Sequence, residues 1–345
     1  MKRFFLSTLS VFASLAALTG CSSLNSDGYV RNSGVVFGTS FNMIYRSDVN
    51  LLSDVEQRLA VYDASLSVFN DSSLLSQFNR SLSVDADSDL LFVVKQALRF
   101  HRLSHGAFDC SVEPLSRLWH FSADADLLDT LPQSVYDSIV SLVPLTLQSV
   151  GMDKVSVVGS RIIKSHPGLK LNANALAEGF GIDCAARVLE EHGVSDYLVE
   201  IGGEIHCKGL SPRGSKWRIG VDKPSSSAGV SGSQRIIEVS NCAVSTSGNY
   251  RQCHYAPDGS LLQHTIDPRT GRPVSHGMKS VTVVGPNTMT TDALCTCLMV
   301  LGPDSVASFV NRIRSEEHID VEAYVIYDNA DGVELELETD GWKNL

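Results

Sequence analysis

Beyond its first twenty residues the chain has no long apolar run, so nothing there reads as a membrane span. It also lacks a basic excess: 28 Lys and Arg face 39 Asp and Glu, a net charge of −11. That balance argues against a nucleic-acid partner, because phosphate binding needs a basic surface, and an anionic ligand would need local help from a cation or backbone amides. The eight cysteines include no paired CxxC spacing, so a structural zinc site is disfavoured. No internal repeat is present. What remains is a globular composition, 43% hydrophobic over 345 residues. A chain of that length buries a sizeable core as one large domain or two lobes.

The amino end is different. Lys2 and Arg3 precede an apolar stretch from Phe4 to Leu18, which runs into Leu18-Thr19-Gly20-Cys21. Charge, a short apolar core and small residues before a cysteine make a lipoprotein signal over residues 1–20, with Cys21 as the acylated first residue. Removing Lys2 and Arg3 takes the charge from −11 to −13. Residues 21–33 read as a lipidated end and tether, and the folded body is expected over residues 34–345. This places the protein in the bacterial cell envelope, lipid-anchored and facing the periplasm. Acylation of Cys21 leaves seven cysteines, an odd number that cannot pair completely.

Along the body, alternation predicts a first strand over 34–45 and helical spacing predicts helices over 49–66 and 89–104. Shorter helices are expected to end near Asn79, over 114–119 and over 132–143. Residues 155–158 and 161–164 fit a hairpin, and a long helix runs from about 174 to His192, with Gly193 closing it. Strands are expected at 197–201, 217–221, 235–240, 261–266 and 280–284. A helix carrying Asp292 and Thr296 ends at Gly302-Pro303. Helices and hairpins mix without strict alternation, so the expected class is α+β, with mixed sheets and flanking helices.

Two segments carry the chemistry most visibly: His264-Thr265-Ile266-Asp267-Pro268-Arg269-Thr270-Gly271 and Thr291-Asp292-Ala293-Leu294-Cys295-Thr296. On a helix Asp292 and Thr296 share one face and offer hard oxygen donors suited to Mg²⁺. The same residues also fit a plain helix start, with Thr290 or Thr291 as N-cap. Further motifs stand at Phe37-Gly38-Thr39, Ser67-Val68-Phe69-Asn70 with Ser73, Gly106-Ala107-Phe108-Asp109, Ala177-Glu178-Gly179-Phe180 with Asp183, Glu200-Ile201-Gly202-Gly203-Glu204 and Ser245-Thr246-Ser247-Gly248-Asn249-Tyr250.

In this order, from about Phe37 to Gly302, the chain resembles the ApbE family of FAD:protein FMN transferases. The resemblance implies transfer of FMN from FAD to a threonine hydroxyl of an acceptor protein, with release of AMP. It implies a flavin and nucleotide pocket lined by Phe37, Phe69, Ala107, Phe108, Asp109, Asn172, Glu178 and Ile266. It implies Mg²⁺ held by the Ala175 carbonyl, Asp292 and Thr296. Asn172 stands where many relatives carry aspartate, and Cys295 where some carry an oxygen donor; a thiol is a poor Mg²⁺ ligand.

His264 is the candidate for activating the acceptor hydroxyl, and Asp292 the second catalytic candidate; a packed strand histidine is the competing reading of His264. Asp267 is expected to bond within its own turn, and Arg269 either reaches phosphate or faces solvent. The expected acceptors are flavoprotein subunits of membrane respiratory complexes. Water in place of threonine would give a Mg²⁺-dependent FAD pyrophosphatase. A third reading is a flavin-binding lipoprotein without turnover.

Overall fold

The computed structural model describes residues 23–24, 28–121, 129–222, 224, 233–249 and 253–345. The signal, Cys21, most of the expected acidic linker and Tyr250 lie outside the described residues.

The amino end begins differently from expectation. Strand β1 (Ser23–Leu24) pairs with β2 (Tyr29–Val36), which pairs in register with β3 (Thr39–Arg46). The single strand expected over 34–45 is therefore a hairpin. Its two-residue turn is Phe37-Gly38, both with positive φ, the conformation that tight antiparallel turns require. The folded body also starts before Gly34, since Tyr29 and Val30 are buried in the core. Most of the expected tether is thus strand and edge pairing.

Helices α1 (Leu52–Leu66) and α2 (Leu74–Arg80) follow, the second capped by Ser73, whose side chain accepts from the Ser76 N–H. Then come β4 (Ser83–Asp85), α3 (Ser88–Leu103), α4 (Glu113–Leu118), α5 (Gln133–Thr146) and the expected hairpin of β5 (Val155–Val158) with β6 (Arg161–Lys164). Helix α6 (Asn174–Glu191) buries Leu176, Phe180, Cys184 and Val188. It leads into β7 (Tyr197–Ile201), a turn at Gly202-Gly203, and β8 (Glu204–Lys208). Both turn glycines have positive φ, which costs glycine alone no Cβ clash.

A separate hairpin of β9 (Trp217–Asp222) and β10 (Ser233–Val239) precedes β11 (Cys242–Gly248). Short pairs follow: β12 (Cys253–Tyr255) with β13 (Leu261–Gln263), and β14 (Ile266–Asp267) with β15 (Arg272–Pro273). The chain ends through β16 (Met278–Gly285), α7 (Thr288–Leu301), α8 (Val306–Glu317), β17 (Glu322–Asp328) and β18 (Glu334–Glu338). The expected strand over 261–266 is broken at His264, which lies between two short pairs. Among the described residues nine strands form one antiparallel sheet in the order β1-β2-β3-β7-β8-β11-β16-β17-β18. Helices α6 and α7 pack on one another, and α7 rests against β11 and β16. The α+β class is as expected.

Candidate active site

The site grows from the crossing of α6 and α7. Gly179 of α6 is required there, because a Cβ at this position would lie 2.6 Å from the Thr288 carbonyl oxygen. The start of α7 is held by two caps. Asn287 accepts from the Thr290 N–H at 2.9 Å, and Asp183 of α6 accepts from Thr288 and Met289 at 2.8 and 3.0 Å. The N-cap is therefore Asn287, not Thr290 or Thr291; the side chain of Thr291 instead hydrogen-bonds Ser245 on β11 at 2.7 Å. Asp183 also bonds His206 Nδ1 of β8 at 2.9 Å, so one carboxylate joins α6, α7 and the sheet. Negative charge at a helix N-terminus is favourable.

Asp292 is buried one turn into α7, with its Oδ2 3.4 Å from the Gly179 N–H. In a regular helix that N–H would serve the carbonyl of Ala175. Ala175 departs from helical geometry, with ψ of 17°, which turns its carbonyl off the helical ladder. Thr296 lies half-buried on the same face of α7 as Asp292. Cys295 lies off that face; its thiol donates to the Ser245 carbonyl at 3.3 Å, and burial pushes it well above the usual thiol range.

Glu178 and Glu204 complete an acidic cluster around Asp292. Burial and then the Glu178 charge push Asp292 well above the carboxylate range. Burial and then Asp292 do the same to Glu204, whose Oε2 is buried without a hydrogen-bond partner. Glu178 is exposed, and partial desolvation raises it too. Tyr62 is raised by burial and then by Glu178. Among the described residues none of the three carboxylates has a Lys or Arg ion partner. Crowded acids with an orphaned oxygen and no cation are a poor arrangement for empty protein and a good one for a divalent ion. Among the described residues no three His, Cys, Asp or Glu side chains form a ready metal cage. The donors named from sequence are a mixed set of carboxylate, hydroxyl and backbone carbonyl.

His264 is fixed from both sides. Buried Asn249, just after β11, donates to Gln263 Oε1 at 3.2 Å and accepts from Thr265 Oγ1 at 2.5 Å. The His264 ring meets Phe121 edge-on, with centroids 6.5 Å apart. After it, Asp267 accepts from Arg269 Nε and Nη2, both at 2.8 Å, so Arg269 is held within its own turn.

The other predicted residues scatter in role. Phe37 packs on Tyr62 with centroids 4.6 Å apart, whereas Phe69 is 76% exposed. Ala107, Phe108 and Ile266 are core residues, so their side chains have little surface left for a ligand. Asn172 bonds the Asn174 N–H at 3.0 Å, shaping the entry to α6. Asp109 is saturated internally: it accepts from Ser111 N and Oγ, from Met152 N at 2.9 Å, and lies 3.2 Å from His101. Burial acts to raise Asp109, but the bonds from His101, Ser111 and Met152 together hold it below the carboxylate range.

A sequence profile of the ApbE family matches residues 37–323. The chain belongs to the ApbE family. An FAD:protein FMN transferase of Vibrio cholerae is 35% identical over 305 residues, covering 86% of this chain and 88% of that protein. The enzyme of the same name from Escherichia coli strain K12 is 31% identical, over 77% of this chain and 75% of its own length. Among solved ApbE structures, the Vibrio cholerae flavin transferase superposes with a TM-score of 0.78 at 31% identity, covering 94% of this chain and all of that one. The apo Pseudomonas stutzeri flavinyl transferase gives 0.76 at 27% identity, over 94% and 97%. The match extends past Gly302, where the resemblance read from motifs stopped. Glu204, Asp183 and Asn249, which stand inside those motifs, emerge as site residues only once the fold brings their elements together.

Proposed function

We propose that this protein transfers the FMN moiety of FAD onto a threonine hydroxyl of an acceptor flavoprotein, releasing AMP, with Mg²⁺ as cofactor. The observation that carries the reading is the acidic cluster of Glu178, Glu204 and Asp292 at the α6–α7 crossing, in a chain of this family. Ala175, Asp292 and Thr296 would hold the ion, which would supply charge neutralisation as the pyrophosphate bond of FAD breaks and the threonine phosphoester forms. Phe37, Glu178 and Asn172 would line the approach and orient the nucleotide. His264, held between two residues anchored on Asn249, would take the proton from the acceptor threonine Oγ. Acylated Cys21 would hold the enzyme at the periplasmic face of the envelope, beside flavoprotein subunits of membrane respiratory complexes, raising effective concentration.

The test incubates the folded body with FAD, Mg²⁺ and a soluble acceptor domain, followed by intact mass of the acceptor and analysis of nucleotides. The expected result is an acceptor heavier by FMN, with AMP released, abolished by EDTA and reduced at least roughly 100-fold by Asp292→Ala. Free FMN and AMP beside an unmodified acceptor would replace the transferase with a pyrophosphatase. Bound but unconverted FAD would leave a binding protein.

A further inference from the structure

The active-site chemistry leaves unused a pair of thiols on adjacent central strands. Cys207 of β8 and Cys242 of β11 are direct partners in the antiparallel register. Directly opposed residues project from the same face of a sheet, with Cα atoms about 4.5–5.5 Å apart, and a disulfide spans about 4.4–6.8 Å. The two side chains therefore stand side by side on one face of the sheet. We propose that Cys207 and Cys242 are a redox pair that closes to a cross-strand disulfide.

Their surroundings divide the roles. Cys207 is fully buried, among Trp217, Val244 and Tyr324. Cys242 is half-buried and borders a cleft of about 290 Å³ shared with Lys216, Asn241 and Asp320. A reagent therefore reaches Cys242 first. Its thiol is held below the usual range, first by the neighbouring Cys207 thiol and further by the Lys216 charge, against burial; Cys207 is raised by its neighbour and by burial. The thiolate is the attacking species in exchange, so reactivity and access coincide on one residue.

The co-reactant is a disulfide carrier. The Cys242 thiolate attacks one sulfur of the carrier and expels its other sulfur as thiolate. Cys207 loses its proton and attacks Cys242 Sγ, expelling the second carrier sulfur. One S–S bond is formed and one broken, and the carrier leaves as its dithiol. The bridge would close the excursion of residues 208–241, including the β9–β10 hairpin, and would staple β8, which carries Glu204 and His206, to β11, which carries Ser245. The remaining described cysteines have no partner placed in this way; Cys110, Cys184, Cys295 and Cys297 are buried on helices or loops and Cys253 stands on β12.

The experiment exposes the folded protein to oxidised glutathione, traps residual thiols with iodoacetamide and maps peptides by mass. The expected product has lost the mass of two hydrogens, carries a linked Cys207–Cys242 peptide, reverts with dithiothreitol, and melts several degrees higher than the reduced form. Cys207→Ser should stop the reaction at a glutathione adduct on Cys242, and Cys242→Ser should leave Cys207 unmodified. Should a serine variant fail to fold, the wild-type peptide map decides alone. Two free, alkylatable thiols at these positions after oxidation, or a bridge to Cys253 instead, would overturn the assignment.

Discussion

Gly179 shows how little room the site leaves at the residue scale. Its missing side chain is what lets α6 touch the backbone of Thr288, which puts the Gly179 N–H beside Asp292. Gly179→Ala forces backbone against Cβ, and the two helices must separate. The expected cost is about 1–3 kcal/mol in urea unfolding, together with a loss of FMN transfer larger than the stability change alone would give. The His101–Asp109 pair makes a pH prediction. His101 is raised above its ordinary 6.5, chiefly by its bond to Asp109, so its contribution is full below pH 6.5 and is lost as pH climbs through the raised folded value. Asp109 is lowered from 3.8, so its contribution is present above pH 3.8 and is lost as pH falls through the depressed value. Stability against urea should therefore decline above pH 6.5, and His101→Asn should flatten that decline. Neither pairing was legible in the sequence. Asp109 read as a flavin contact because its motif was recognised, while its bond from Met152, unlike the local one from Ser111, depends on a chain reversal of some forty residues that no local pattern encodes.

At the scale of elements, several helices and one hairpin were read from periodicity, while α8 and the β17–β18 hairpin, beyond Gly302, were not read at all. The hairpin of β5 and β6 and the length of α6 follow from periodicity and glycine stops. Strands failed where periodicity carried less information: β11 is small and polar, Cys-Ala-Val-Ser-Thr-Ser-Gly, because it lies in the middle of the sheet with α7 packed closely over it. At the other end, the Phe37-Gly38 turn was hidden because a phenylalanine occupies a left-handed position that usually signals itself by glycine or asparagine. The motif segments were visible, but not that Asn249 at the end of β11 braces the His264 segment. Asn249→Ala removes both braces and leaves buried Gln263 without its donor. The expected loss is about 1–3 kcal/mol of stability, with kcat falling more than KM for FAD, measured by steady-state flavin transfer. A variant that retained full kcat would separate Asn249 from the placement of His264.

For the whole molecule, the reading from composition set limits and the motifs supplied direction. Mixed elements and family-ordered motifs led to the α+β fold that the structure has, whereas the boundary at residue 34 did not hold because β2 carries buried Tyr29 and Val30. The proposed anchor belongs to this scale. Cys21→Ala should leave FMN transfer to a soluble acceptor domain unchanged and lower transfer to a membrane-embedded acceptor, scored in vesicles by covalent flavin fluorescence. Equal transfer in both formats would remove the anchor from the account of activity.

The pairing of β3 with β7 sets Phe41 opposite Ile201. A neighbour so distant along the chain cannot arrive until most of the polypeptide has been made, so the amino-terminal hairpin spends its early life as an unprotected apolar edge. Refolding from denaturant should therefore be slow, because this long-range pairing must close, and prone to edge-to-edge association until β7 and β8 dock.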